Sequence, residues 1–320
     1  MKIERILLAT DFSAHARRAE DYGAFMAAAW DAALTVMSVL EFPPGMNPDY
    51  PINQEYLRYR MNETSEQLAD CTQRLSRRGL RVASRITTGL PSEEIVGAAR
   101  ADDSDLIVLG TRGKSGLAHV LLGSTAERVI RTAPCPVLAV HIDADSPPER
   151  VTGVALERLL VPIDFSDYSL DAVEYAALVA ARAKASVKLL HVLEPLSYGL
   201  DFTLIHADER QRKRERCAMR LDALSTALSK AGLSASSLIR GGVPADSILD
   251  EARAGRHDLI VMGTHGRRGM SHVLCGSVAE AVLRKAACPV LAVRSPKFAP
   301  GHRRLAPRPV EGSTHERGGD

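Results

Sequence analysis

Short, continuous apolar runs alternate with longer amphipathic stretches along the chain. The first run is RILLAT, and a helical pattern follows it over residues 14–29. Further runs follow at ALTVMSVL, RVASRIT, DLIVLG and PVLAVHI, again separated by helical stretches. Short apolar strands that alternate with helices are typical of buried parallel strands joined by βαβ crossovers. The pattern therefore predicts an α/β fold with helices on both faces of the sheet.

Smaller signals mark where individual elements end. A Pro-rich loop is predicted over residues 41–53 and a helix over residues 54–78, with Gly79 where a C-cap glycine is expected. A short helix is predicted from Pro91 to Arg100 and another over residues 124–132.

The whole pattern occurs twice, with an offset of 153 residues. About 20 of the 31 positions in 110–140 are identical to those in 263–293, and no insertion interrupts the register. Duplication of one compact unit explains this repeat. We predict two tandem open parallel five-stranded sheets. The boundaries are a first domain at 1–143, a linker at 144–156, a second domain at 157–295 and a disordered tail at 296–320.

Composition narrows the class of protein. The formal net charge is +2, and the tail alone holds five Lys or Arg and three Asp or Glu, so the rest of the chain is formally neutral. This argues against a nucleic-acid binder with a broad basic surface. No apolar run approaches the roughly 20 residues of a membrane helix. The start lacks a signal-peptide pattern and the five cysteines form no CxxC motif, so we expect a cytoplasmic protein without membrane contact.

A glycine-rich segment follows the fourth strand of each unit. Residues 110–124 read GTRGKSGLAHVLLGS and residues 263–277 read GTHGRRGMSHVLCGS, and both fit G-x2-G-x9-G-S. A dinucleotide-binding Rossmann unit places its glycines after the first strand, where this chain has ATDFS and PIDFS. Binding of NAD or FAD in that manner is therefore not predicted.

The spacing of these glycines suits an anion site, and the alternative is that they serve only tight turns and close helix packing. Gly110 allows a sharp turn after the strand, and Gly113 allows positive φ or close approach of a ligand. Gly123 and Ser124 precede a helix, whose first N–H groups and dipole attract a polyphosphate. The second unit repeats these positions at Gly263, Gly266, Gly276 and Ser277. Lys114 in the first unit, and Arg267 and Arg268 in the second, are candidates for charge-assisted contacts.

Asp11 and Asp164 follow the first strand of each unit, at the strand end where α/β sheets bind ligands. A carboxylate there suits a ribose hydroxyl or a base amino group. This requires the first and fourth strands to be adjacent, as in the order 3-2-1-4-5. The alternative is that each aspartate caps the following helix, with Ser13 and Ser166 as competitors for that role.

ATDFS, GLPSEEI (89–95), the G-x2-G-x9-G-S loops and the ending APCPVLAV together resemble the universal stress protein family, in both halves. The resemblance implies the five-stranded sheet shared with adenine nucleotide α hydrolases and, for the branch with the loop, ATP binding. Asp11 and Asp164 would contact adenosine, and Val39 and Val192 would line the adenine pocket. The loops would hold phosphates, often with Mg2+ or Mn2+. The closing strands would pair as an internal pseudo-dimer, or the tandem chain would form a homodimer.

The expected function is a nucleotide-responsive regulator of stress or growth with an unknown protein partner. Slow ATP hydrolysis or autophosphorylation at Ser124 or Ser277 is an alternative. So is an interaction module of the same fold that has lost the nucleotide. A related nucleotide α hydrolase would carry its phosphate loop after the first strand, which argues against that class. His119 and His272 are interpreted as exposed loop residues, residues 209–216 as a solvated helix face, and Cys275 as an oxidisable thiol if exposed.

Overall fold

The computed structural model describes residues 2–41, 50–113, 122–141, 153–194, 205–265 and 275–294. The predicted tail and most of the predicted linker lie outside these residues. No helix within the described ranges has the length and apolarity needed to cross a membrane.

Strands and helices alternate through each half, as the apolar runs predict. The first half contains β1 (Arg5–Ala9), α1 (Ala14–Trp30), β2 (Ala33–Leu40), α2 (Pro51–Ser76), β3 (Val82–Thr88), α3 (Pro91–Ala101), β4 (Leu106–Gly110), α4 (Ser124–Thr132) and β5 (Val137–Val140). The second half contains β6 (Arg158–Pro162), α5 (Asp167–Ala183), β7 (Ser186–Leu193), α6 (Ile205–Lys230), β8 (Ala235–Gly241), α7 (Pro244–Ala254), β9 (Leu259–Gly263), α8 (Ser277–Lys285) and β10 (Val290–Val293).

Helix α2 begins earlier than the sequence predicts. It starts at Pro51 instead of Gln54. Proline suits the first helical position because its missing N–H would have no partner within the helix there. The prediction of a loop through residue 53 is therefore wrong at its end. Gly79, which follows α2, has φ +81°, the left-handed conformation expected of a glycine beyond a helix C-terminus.

The strands form one continuous ten-stranded sheet in the order β3-β2-β1-β4-β5-β10-β9-β6-β7-β8. Each half has the predicted order 3-2-1-4-5, and its strands are parallel. The two predicted five-stranded sheets are joined into one by their closing strands. β5 and β10 pair antiparallel, with Leu291 opposite Leu138. This is the internal pairing expected of the closing strands, and it removes an open edge from each half.

Each face of the sheet carries four helices, which enclose two hydrophobic cores. Helices α1, α2, α5 and α6 cover one face, and α3, α4, α7 and α8 cover the other. Leu7 and Leu8 in β1 are both fully buried but belong to opposite cores. Consecutive side chains of a strand point to opposite faces, so continuous apolar runs such as RILLA require both faces to be covered.

The second half also contains a buried ion cluster around Glu251. This side chain is only 5% exposed and accepts a hydrogen bond from Lys188 Nζ at 3.0 Å. Arg240 Nη2 lies 3.0 Å from its other oxygen. The equivalent residue of the first half is Ala98, so the repeat does not carry this cluster.

Candidate functional site

The candidate site of each half lies at the carboxyl ends of its first and fourth strands. β1 and β4 are adjacent, with Ala9 opposite Leu109. The turn after β1 and the glycine loop after β4 therefore meet at one edge of the sheet. A Cβ placed on Gly113 would lie only 2.7 Å from Asp11 Oδ2, so the loop backbone and the carboxylate are in direct contact. A side chain at this position would displace the Asp11 carboxylate from the loop.

The hydrogen bonds of Asp11 show whether it caps the following helix or faces the glycine loop. Ser13 is the N-cap of α1 and accepts from the backbone N–H of Ala16. Asp11 accepts instead from the backbone N–H of Ser13 at 3.0 Å through its Oδ1. Asp11 therefore does not cap the helix. It closes a short turn and directs Oδ2 to the glycine loop.

The second half repeats this arrangement. Ser166 caps α5 and Asp164 Oδ1 accepts from the N–H and the hydroxyl of Ser166, at 2.9 and 2.6 Å. The residues between aspartate and serine, Phe12 and Phe165, have φ of 59° and 64°. Few non-glycine residues adopt this conformation, and its recurrence shows that both halves form the same tight turn.

Gly110 and Gly263 pack closely against a helix in each half. A Cβ on Gly110 would lie 2.8 Å from the backbone carbon of His15, and one on Gly263 would lie 2.8 Å from that of Tyr168. These two glycines allow the strand end to pack against the first turn of α1 or α5. The structure thus gives these glycines a packing role, while their contact with a nucleotide stays a prediction.

Gly123 and Gly276 place the start of the next helix. Gly123 N–H donates to Thr111 O, and Gly276 N–H donates to Thr264 O, both at 2.7 Å. Neither α4 nor α8 has a side-chain hydrogen bond at its N-cap within the described residues. The first N–H groups of a helix, together with its dipole, suit an anion. Ser124 and Ser277, the first residues of these helices, are exposed.

Val39 and Val192 occupy corresponding positions near the ends of β2 and β7. Both are half-buried and pack on the core that α3, α4, α7 and α8 cover. Gly266, Lys114, Arg267, Arg268, His119 and His272 lie outside the described residues, so their predicted roles stay predictions.

Sequence reasoning missed a basic group beside the first site. Burial lowers the pKa of His15, and the nearby charge of Arg112 lowers it further against the opposing effect of Asp11. The corresponding residues of the second half are Tyr168 and His265, whose rings lie 4.9 Å apart. His15 and Tyr168 follow the aspartate turn, and the other two residues follow the threonine of the glycine loop. These positions could have identified all four as neighbours of the site. The residue types differ between the halves, however, so the repeat did not draw attention to them.

His141, which follows β5, joins the two halves. Its Nε2 donates to the carbonyl oxygen of Leu283 in α8 at 2.7 Å. Burial lowers its pKa to about 4, and the charges of His15 and Arg112 act in the same direction. The neutral imidazole is therefore the stable form in the folded protein.

Acidification is expected to weaken the fold through His141. Between pH 6.5 and 4 the unfolded chain binds a proton at this residue that the folded protein excludes. The free energy of unfolding should therefore fall by about 2 kcal/mol from pH 7 to pH 4.5. Urea denaturation of the wild type and of His141→Gln, which keeps a donor for Leu283, measures this contribution. Equal losses on acidification in both proteins would refute it.

The structure corrects the hypothesis of an oxidisable Cys275. This thiol is buried, and burial raises its pKa to about 11. It lines a small cavity between α4 and α8 together with Leu122, its counterpart in the first half. Across the same contact, Arg284 lies 3.6 Å from Glu127. A buried thiol with a raised pKa is a poor nucleophile, so Cys275 is a packing residue.

Comparisons with known proteins agree with the fold and with the repeat. A universal stress protein of Mycobacterium tuberculosis is 26% identical over 302 residues, which cover 90% of this chain and 96% of that protein. A universal stress protein of Methanocaldococcus jannaschii is 34% identical over 146 residues, which cover 44% of this chain and 84% of that protein. A solved universal stress protein from Archaeoglobus fulgidus has a TM-score of 0.66 at 21% identity. It covers 92% of this chain and 99% of its own length, and at this identity the likeness concerns the fold alone.

The sequence profile of the universal stress protein family matches the chain twice, over residues 2–141 and 155–294. Each match contains one aspartate turn and one glycine loop. This chain is therefore a tandem member of the universal stress protein family.

Proposed function

We propose that this protein binds ATP in both halves and acts as a nucleotide-responsive regulator of stress or growth in the cytoplasm. The observation that carries the proposal is the contact between Asp11 and Gly113 beside the uncapped start of α4. A carboxylate and the N-terminal N–H groups of a helix at one strand edge suit the two ends of a nucleotide, a ribose and a phosphate chain.

Each group then has a distinct role. Asp11 and Asp164 accept hydrogen bonds from ribose hydroxyls, and Val39 and Val192 pack against the base. The N–H groups that follow Gly123 and Gly276 bind phosphate oxygens, with the hydroxyls of Ser124 and Ser277 as further donors. Among the described residues, no three His, Cys, Asp or Glu side chains come together as metal ligands would. A bound Mg2+ or Mn2+ would therefore be held chiefly by phosphate oxygens.

Two other functions are tested beside this one. Ser124 and Ser277 are exposed hydroxyls at the helix starts, which is the observation that favours autophosphorylation. Incubation with γ-labelled ATP that leaves the protein unlabelled argues against autophosphorylation.

The packing role of Gly110 and Gly263 favours an interaction module, because those two glycines are needed for the fold without any nucleotide. Such a module would bind no ATP.

Calorimetric titration with ATP and Mg2+ tests the binding proposal. The intact chain is expected to bind two nucleotides. Asp11→Ala and Asp164→Ala should each weaken one binding event by about tenfold to a hundredfold, because each removes a charged hydrogen-bond partner worth about 1.5–3 kcal/mol. Asp70→Ala, which changes an exposed aspartate on α2, is the control and should bind as the wild type does. A folded intact chain without ATP binding would overturn the proposal.

A further inference from the structure

Helices α2 and α6 both begin with turns that lie outside the hydrophobic core. In α2, no described side chain of residues 51–63 is buried, and Thr64 is the first that is. In α6, all six residues of 211–216 are exposed, and Cys217 is the first described side chain that is buried. We call residues 51–63 the α2 extension and residues 211–216 the α6 extension. Helical turns gain most of their stability from packing, so exposed turns of this kind suit a contact with another molecule.

The α2 extension is aromatic and formally neutral. Tyr56, Tyr59 and Met61 are 44%, 67% and 45% exposed, and they are three of the seven large apolar side chains exposed in the described part of the chain. The two acidic residues of the extension balance its two basic residues. Exposed tyrosine and methionine side chains are typical of protein–protein interfaces.

The α6 extension is strongly basic. Its four cations are Arg212, Lys213, Arg214 and Arg216. The single acidic residue, Glu215, accepts a hydrogen bond from Gln211 at 2.7 Å, and within the described ranges none of the four cations has an ion pair. Arg212 and Arg216 are one helical turn apart, where like charges repel each other. An aromatic or acidic surface packed on the α6 extension would offset this repulsion.

The two extensions are complementary at equivalent positions of the repeat. The offset of 153 residues places Tyr59 at the position of Arg212 and Glu63 at the position of Arg216. A guanidinium packs favourably on an aromatic ring and pairs with a carboxylate. Glu63 already contacts Arg60 at 3.0 Å, but a carboxylate has two oxygens and accepts from a second cation as well.

The extensions of one chain cannot meet each other. α2 packs beside β3 and α6 beside β8, and these are the outermost strands of the ten-stranded sheet. Nine strand spacings separate them by roughly 40 Å. Both helices cover the same face of the sheet, however, so a second copy on that face can form both contacts about one two-fold axis. The closing strands are not available to a second copy, because β5 and β10 already pair with each other.

We propose that the chain forms a two-fold symmetric homodimer in which the α2 extension of each copy packs against the α6 extension of the other. The tyrosines lie on the arginine side chains, and the contact occurs twice in the dimer. This inference goes beyond the proposed function and does not depend on nucleotide binding.

Sedimentation velocity of the full chain tests the dimer. We expect a species of twice the 34.6 kDa of one chain, without nucleotide. Arg212→Glu should weaken the association at least roughly tenfold, because it removes a cation from the aromatic surface and brings a carboxylate towards Glu63. Arg253→Glu is the matched control. It makes the same change at an exposed position of α7, on the opposite face of the sheet, and should leave the association unchanged.

A reciprocal exchange then tests the pairing of the two extensions. Tyr59→Arg alone should weaken the association, because it sets arginines against arginines. Tyr59→Arg combined with Arg212→Glu should restore it, since the positive and negative sides are then exchanged. The proposal is overturned by a wild type that stays monomeric at high concentration, by equal effects of Arg212→Glu and Arg253→Glu, or by a combined variant that associates no better than the single ones.

Discussion

Glu251→Ala is expected to lower the free energy of unfolding by about 3 kcal/mol, and the melting temperature by roughly 5 °C. Removing one member of a buried ion pair leaves its partners charged and poorly solvated. Lys188 and Arg240 would lose their shared carboxylate, although each is about one-third exposed and regains some water. His257, which is 3.7 Å from Glu251 and buried, would lose its nearest negative charge.

The pKa of Glu251 determines how the destabilisation by Glu251→Ala depends on pH. Burial alone would raise the pKa of Glu251, but the hydrogen bond from Lys188 and the charges of Lys188 and Arg240 outweigh it, so the pKa is lowered. A lowered carboxyl pKa stabilises the fold above the ordinary value near 4.5, and this contribution is lost as the pH falls below it. The difference between the wild type and Glu251→Ala should therefore be full at pH 7 and shrink in acid.

Chemical denaturation of the two proteins at pH 7 measures the effect. Asp250→Ala is the matched control, because it removes a carboxylate from the adjacent exposed position of α7. It should change the free energy of unfolding by about 0.5 kcal/mol or less. The buried cluster would have no stabilising role if the two variants were equally stable.

Gly110→Val is expected to cost about 3 kcal/mol or more, because its Cβ would meet the backbone of α1. The nearest atoms are the carbonyl carbon of His15 and the nitrogen of Ala16, at 2.8 and 3.0 Å. Backbone atoms cannot swing aside as a flexible side chain can, so α1 must shift from the sheet. Gly263→Val should destabilise the fold similarly, because its Cβ would meet the backbone of α5.

Gly97→Ala is the matched control for this pair and should have the opposite sign. Gly97 lies within α3, and a Cβ there meets nothing within 4 Å. Alanine favours the helix by about 0.5–1 kcal/mol over glycine at such a position. Thermal unfolding without nucleotide compares the three variants. A Gly110→Val protein as stable as the wild type would show that the strand end does not need this close contact.

The apolar runs were sufficient to predict the strands, because residues such as Leu7 and Leu8 are buried on opposite faces and leave no polar position in the strand. The position of Asp11 beside the glycine loop was predictable only on the condition that the strand order is 3-2-1-4-5, which the structure has. Close packing of Gly110 was only an alternative at the level of the sequence, because its contact is with a helix nearly 100 residues earlier in the chain. Cys275 was misjudged for a similar reason, as its burial depends on α4 of the other half.

The repeat itself concealed other features. Identity between the halves draws attention to residues that are the same in both, such as the glycines and the aspartates. The contrast between Ala98 and Glu251 becomes meaningful only when Lys188 and Arg240 are seen to contact that carboxylate. Where two similar sequences differ, the sequences alone do not show whether the difference is neutral or functional.

The antiparallel pair of β5 and β10 has a consequence for the order of folding. Its partners, such as Leu138 and Leu291, are about 150 residues apart in the chain, whereas the partners of β1 and β2 are about 30 apart and those of β1 and β4 about 100 apart. Closing so long a loop costs more conformational entropy, and distant contacts slow folding. We expect each half to fold first and to form its own five-stranded part of the sheet. The central strands then dock last, so the molecule assembles like a dimer whose subunits are tethered at high effective concentration.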